Sequence, residues 1–176
     1  TNIHPENWTM MANAIHENYE KYDGFIIWHG TDTLQYTSSA LAFSLQGIAK
    51  PVVITWSVLP LEDQWTDAKQ NFTDAVQVAA SGLAKEVCVC FHGSIFKWTN
   101  ARKVTNEATQ ITNEKIGVYS SINLHLIGNI ELGQVIWNDI YFTKNEYSSK
   151  AQLEIKSHFT ADDVALVKLF PWASSD

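Results

Sequence analysis

The spacing of apolar residues predicts a helix first. Over residues 5–22, Trp8, Met11, Ala12, Ile15 and Tyr19 recur at helical intervals and share one face, with Pro5 suited to the first turn and Asp23-Gly24 to the stop. The run "FIIWH" (residues 25–29) is short and continuously apolar, as in a strand buried on both faces. A second helix follows over 37–46, ended by Gly47, and then a second apolar strand, "PVVIT" (51–55). Pro60 marks a loop. A third helix over 67–81 places Ala68, Phe72, Ala75, Val76 and Ala79 on one face and stops at Gly82. The strand "EVCVCF" (86–91), a turn at His92-Gly93 and a fourth strand over 94–99 complete the regular part. Helix and strand alternate, and each strand is apolar throughout. The expected fold is therefore α/β: three layers, a mostly parallel sheet with helices on both faces, joined by right-handed crossovers.

Beyond Lys103 the pattern loosens. Residues 105–115 are polar, and 118–150 read as a long connection with one or two short strands such as "QVIWNDIYF". The run "DDVALVKLF" (162–170) has the character of one more buried strand, followed only by "PWASSD". There is no internal repeat and no low-complexity tract.

Composition narrows the function classes. The chain has 176 residues, 45% of them hydrophobic, which suffices for one core. No apolar run reaches the roughly 20 residues a membrane-spanning helix needs, and "TNIHPENW" lacks the basic-then-apolar order of a secretion signal. A formal net charge of -7 without a Lys/Arg cluster speaks against a nucleic-acid partner. Cys88 and Cys90 lie two apart in one strand, on the same face, and cannot close an ordinary disulfide. With no Cys/His partners at zinc spacing, they read as buried thiols rather than metal ligands. The sequons Asn7-Trp-Thr and Asn71-Phe-Thr both fall in expected helices and read as chance matches.

The chemistry concentrates in "HGTDT" (29–33), at the carboxyl end of the first strand, where open α/β sheets bind ligands. Gly30 allows a sharp turn, Thr31 brings a hydroxyl and Asp32 a carboxylate. On composition alone a purely structural account is favoured: Thr33 or Thr37 caps the next helix and Asp32 complements its dipole. His29 ends an apolar strand, where a histidine is more often a hydrogen-bonded, half-buried residue than a base. No Ser/His/Asp spacing, GxGxxG loop or Walker motif accompanies it.

The string "DGFIIWHGTDTLQYTSSALAFSLQGIAKPVVIT" resembles the second conserved block of the L-asparaginase family, including its cytosolic type. Later blocks resemble the family in order: "LPLEDQWTDAKQNFTDAVQVAA", where Thr66-Asp67-Ala68 stands for a common Ser-Asp-Gly, then "KEVCVCFHGSIFKWTNARKV", "GVYSSINLHLIGNI" and "DDVALVKLFPW". The resemblance implies an incomplete family member: residues 1–117 as part of the N-terminal α/β domain, 118–161 as a linker and 162–176 as the start of a smaller C-terminal domain. It implies hydrolysis of L-asparagine to L-aspartate and ammonia through a threonine nucleophile and an acyl-enzyme. The resemblance implies no metal and no cofactor. The protein would act in the cytoplasm and, when complete, as a homo-oligomer. Thr31, Asp32 and Lys103 match a Thr–Lys–Asp constellation, with Gly30, Asp32, Trp56 and Ser57 at the substrate-binding positions. A threonine hydroxyl needs a neighbouring base or relay. A partly buried lysine supplies one, and Asp32 would hold the lysine and the substrate's amino group.

The family's Thr-Gly-Gly-Thr turn, its flexible tyrosine loop and the bulk of its C-terminal domain have no counterpart in this chain, which is therefore expected to be nearly inactive by itself. Trp56, Trp98 and Trp172 stand where the family has glycine. Three such replacements suggest a common cause, either a diverged, non-catalytic copy or a misread codon. Two alternatives follow: a non-catalytic binding or scaffold relative, and the ammonia-releasing tRNA amidotransferase component of the same family.

Overall fold

The computed structural model describes residues 3–99, 101–103, 119–121, 126–139 and 153–155. In chain order the elements are α1 (Pro5–Glu17), β1 (Phe25–Trp28), α2 (Leu34–Ser44), β2 (Leu45–Gln46), β3 (Val52–Thr55), α3 (Ala68–Ser81) and β4 (Val87–Phe91), followed by β5 (Ser94–Lys97), β6 (Ala101–Lys103), β7 (Tyr119–Ser121), β8 (Gly128–Glu131), β9 (Gln134–Trp137) and β10 (Glu154–Ile155). The expected strand over 162–170 and Trp172 lie outside the described residues.

The α/β architecture expected from the pattern is present. The main sheet runs β1-β3-β4-β5-β8-β9. Its first three strands are parallel, with Phe25 opposite Val52 and Val52 opposite Val87; the remaining three are antiparallel. The parallel set is joined through α2 and α3, as crossovers require. The antiparallel part is built from hairpins. His92-Gly93 and Leu132-Gly133 each place two successive residues at positive φ, the signature of a tight primed turn. The second of these hairpins, β8–β9, lies inside the stretch read as a connection and adds two strands to the sheet.

Each face of the sheet carries its own core. Val52, Ile54, Val87, Val89 and Phe91 pack under α1 and α2 against Ala12, Ile15, Leu34 and Leu41. Val53, Cys88, Cys90 and Ile95 pack against Ala75 and Val78 of α3. Burying each of these larger aliphatic side chains contributes about 1.5–3 kcal/mol.

Three local differences from the expected elements have identifiable causes. First, α2 starts at Leu34 rather than at 37, because Thr33 takes the N-cap position and its carbonyl already accepts the Thr37 N–H. It ends at Ser44, and Leu45–Gln46 pair instead with Glu154–Ile155. Second, α3 is rotated from the face its apolar residues define. Phe72 and Val76 are 50% and 41% exposed, while Asn71 and Asp74 are buried. Third, α1 stops at Glu17, after which residues 18–21 form turns. At the start of α1, Asn7 accepts the His4 backbone N–H at 2.8 Å, so the asparagine of the first sequon acts as a helix cap.

Cys88 and Cys90 are free thiols, both fully buried on the α3 face. Burial raises both thiol pKa values well above the usual range; neighbouring Cys90 and Glu86 add to the rise at Cys88, and Asp74 to that at Cys90. Both therefore stay protonated in the fold at pH 8–9, where an unfolded cysteine, with a pKa of about 8.5, ionises. Neither should react with a thiol reagent at pH 8 until denaturant unfolds the chain. Stoichiometric labelling of the native protein within minutes would contradict this placement.

Candidate active site

The carboxyl ends of the parallel strands lie side by side. The ladder between β1 and β3 closes with the His29 N–H donating to the Thr55 carbonyl at 2.9 Å. Past that bond the two chains diverge. One continues through Gly30, Thr31 and Asp32 into α2, and the other through Trp56 and Ser57 into the long loop before α3. The structure thus brings five of the six expected site residues to two adjacent strand ends.

Gly30 and Asp32 are exposed, and Thr31 is half-buried. Gly30 does not use a left-handed backbone, and a Cβ built there would meet nothing within 4 Å. Its backbone borders open space, so the turn does not depend on glycine's positive-φ freedom. Thr33 occupies the N-cap of α2 but makes no capping hydrogen bond through its side chain. Thr37 is not a cap either. Its hydroxyl is buried and contacts two side chains, Trp8 Nε1 and His29 Nε2, each at 2.9 Å. His29 is 6% exposed, and its Nδ1 lies 2.7 Å from the Gly30 carbonyl. It is the hydrogen-bonded, buried histidine that its place at the end of an apolar strand suggests.

Trp56 is 1% exposed. Its indole stacks on Phe91, with ring centroids 4.0 Å apart and planes 12° apart, and Phe91 in turn stacks on His92 at 4.7 Å. The indole thus belongs to the core under α1 and α2 and fills the volume beside the β3 end. Ser57, the next residue, is half-buried. Trp98 packs on the same core and meets Phe43 edge-on at 5.0 Å. Lys103 is the last residue of β6, opposite Tyr119 of β7; β6 packs against α2, the helix that the Thr31–Asp32 turn leads into.

The loop from Ser57 to Asp67 is held by two residues that composition alone did not single out. The Asp67 carboxylate accepts the backbone N–H groups of Val58 and Leu59 at 3.0–3.1 Å and the Asn71 Nδ2 at 2.8 Å. His92 Nε2 lies 3.9 Å away. Asn71 also donates to the Trp56 carbonyl at 2.9 Å and accepts the His92 N–H at 3.2 Å, tying the ends of β3 and β4 together. This explains the rotation of α3: a buried amide with several partners outweighs the exposure of Phe72 and Val76. The available signal was an Asp and an Asn four apart at the start of the helix, on one side of it. The same burial leaves no room for a glycan at the second sequon.

Among the described residues no helix is long and apolar enough to cross a membrane.

Residues 1–139 match the protein-family model described as Asparaginase, N-terminal. The chain is 40% identical over 99 residues to L-asparaginase 1 of Escherichia coli K12, covering 56% of this chain and 29% of that protein. It is 32% identical over 184 residues to a component of the glutamyl-tRNA(Gln) amidotransferase of Methanosphaera stadtmanae, covering 99% of this chain and 39% of that protein. The crystal structure of L-asparaginase I from Vibrio cholerae superposes with a TM-score of 0.80 at 29% identity, over 98% of this chain and 49% of that one. The chain thus spans less than half the length of each of these proteins.

Replacing Asn71 by Ala removes the donor to the buried Trp56 carbonyl and the acceptor for the His92 N–H. The expected loss is about 2–3 kcal/mol in urea denaturation, the size of leaving such groups unsatisfied. A loss below about 0.5 kcal/mol, the range of an ordinary surface change, would contradict the bridging role.

Proposed function

The chain belongs to the asparaginase family, and from that premise we propose that Thr31, Asp32 and Lys103 serve the hydrolysis of L-asparagine to L-aspartate and ammonia. The observation that carries this reading is the placement of the "HGTDT" turn. It lies at the carboxyl ends of two adjacent parallel strands, with the Gly30 backbone bordering open space and Asp32 exposed, while His29, Thr55 and Trp56 around it are buried. Ligands of open α/β sheets bind at such a place.

In the proposed chemistry a threonine oxygen adds to the side-chain amide carbon as its proton passes to a basic relay. The C–N bond breaks as that proton is delivered to the departing ammonia, and water then cleaves the ester. Lys103 is the relay, a lysine that accepts the proton as the bond forms and returns it as ammonia leaves. Asp32 holds the lysine and the substrate's α-amino group, and Gly30 and Ser57 contact the substrate from the ends of β1 and β3. Trp56 supports the substrate-binding end of β3 from within the core. The reading places the protein in the cytoplasm, as a homo-oligomer in its complete form, with residues 1–117 in the catalytic α/β domain and 162–176 opening a second one. Cell fractionation and light scattering test those two assignments.

Two observations favour alternatives. A bulky indole, Trp56, is packed into the core directly after the β3 end, which suits a non-catalytic relative. The similarity to the amidotransferase component extends over almost the whole chain, which suits an ammonia-releasing role beside a partner protein.

Ammonia release from L-asparagine by the complete gene product separates the three. The account expects release that falls about 100-fold or more in Thr31→Ala, the size of effect seen when a positioned catalytic group is lost. A folded product that releases none is the non-catalytic relative. Release only from glutamine, and only with charged glutamyl-tRNA, assigns the amidotransferase role.

A further inference from the structure

We propose that Trp8, Thr37 and His29 are positioning residues: a one-way hydrogen-bond relay from α1 through α2 that fixes the Gly30–Thr31 peptide and through it the Thr31 side chain. The inference rests on the reading of that turn as the reactive site for its consequence, though not for its geometry.

The direction of every bond follows from chemistry. The Gly30 carbonyl can only accept, so the 2.7 Å contact requires a proton on His29 Nδ1. In the neutral ring Nε2 then carries a lone pair and must accept. The Thr37 hydroxyl, 2.9 Å away, is the group that donates to it. Its proton committed, the Thr37 oxygen is left as an acceptor, and the Trp8 indole N–H, which can only donate, meets it at 2.9 Å. Thr37 is fully buried and His29 nearly so, so these groups cannot exchange their partners for water.

The relay ends on the one peptide that matters for the turn. The Gly30 carbonyl and the Thr31 N–H belong to a single planar group, so holding the oxygen sets the direction in which the chain enters Thr31. Sterics do little to hold it. Gly30 has no side chain, and nothing lies within 4 Å of where a Cβ would be. The imidazole supplies the constraint that packing does not, and it takes its own orientation from two helices.

The test uses 15N-labelled complete gene product near neutral pH, with long-range proton–nitrogen correlation of the His29 ring and the backbone amide of Thr31 as readouts. The unsubstituted protein should show the Nδ1–H tautomer. Thr37→Val, which removes the hydroxyl and keeps the shape, should disturb that tautomer and move the Thr31 amide resonance, and Thr37→Ser should restore both. Trp8→Phe, a milder change nearer the surface, should shift the same two signals in the same direction and serves if the valine variant does not fold. In asparagine hydrolysis, Thr37→Val should lower kcat by about tenfold to a hundredfold, the effect of a misplaced reacting group, with little change in KM. A merely structural threonine would not produce that split. An Nε2–H tautomer in the unsubstituted protein, or a Thr31 amide unmoved by Thr37→Val and Trp8→Phe, overturns the relay. An unsubstituted protein without hydrolysis overturns the active-site reading instead, and the ring and amide signals still decide the relay.

Discussion

Where parallel strands stop pairing, their backbone N–H and C=O groups lose their partners while still buried, and each must find another. At the carboxyl ends of β1, β3 and β4 this requirement shapes the region of the candidate site. The His29 N–H takes the Thr55 carbonyl, the Asn71 side chain takes the Trp56 carbonyl and the His92 N–H, and the Asp67 carboxylate takes the N–H groups of Val58 and Leu59. The His29 ring reaches the Gly30 carbonyl. Three polar side chains thus do at the strand ends what a ladder does within the sheet. Beside them lies the turn from Gly30 to Asp32, with Gly30 and Asp32 exposed.

This requirement also explains what could and could not be read from the sequence. Two of the parallel strands were legible because a strand buried on both faces has to be apolar, as "VVI" and "VCVCF" are; β1, expected to be buried on both faces, stands at the end of the sheet order and is only half-buried, with Trp28 exposed. The stop at Gly82 was legible because its left-handed φ of 66° is a conformation that favours glycine. The face of α3 was not. Apolar periodicity weights Phe72 and Val76, whereas the fold buries Asn71 and Asp74, whose value lies in partners far away in sequence. The start of α2 was hidden for a related reason: Thr37 looks like a cap, yet its hydroxyl serves His29 and Trp8. The strand β9 was read within "QVIWNDIYF", but its hairpin with β8 was hidden because Leu132, at φ 51°, is an unusual residue for a primed turn.

The candidate site was legible by another route. Spacing alone favoured a capped turn for "HGTDT", and only the family resemblance turned that reading towards a reactive one. The structure adds where those residues sit. Gly30, Thr31 and Asp32 occupy one strand end and Trp56 and Ser57 its neighbour, while Lys103 ends a strand packed on α2. It also gives Trp56 a physical identity. Stacked on Phe91 and buried to 1%, the indole is part of the core.

The central claim is that this turn meets an amino-acid substrate. Titrating 15N-labelled complete gene product with L-aspartate, the reaction product, tests it without requiring turnover. The account predicts saturable shifts at the amides of Gly30, Thr31, Asp32 and Ser57, with little change at the far end of the sheet around Phe25 and Val52. Shifts that are absent at saturating L-aspartate, or that cluster away from the ends of β1 and β3, would contradict it.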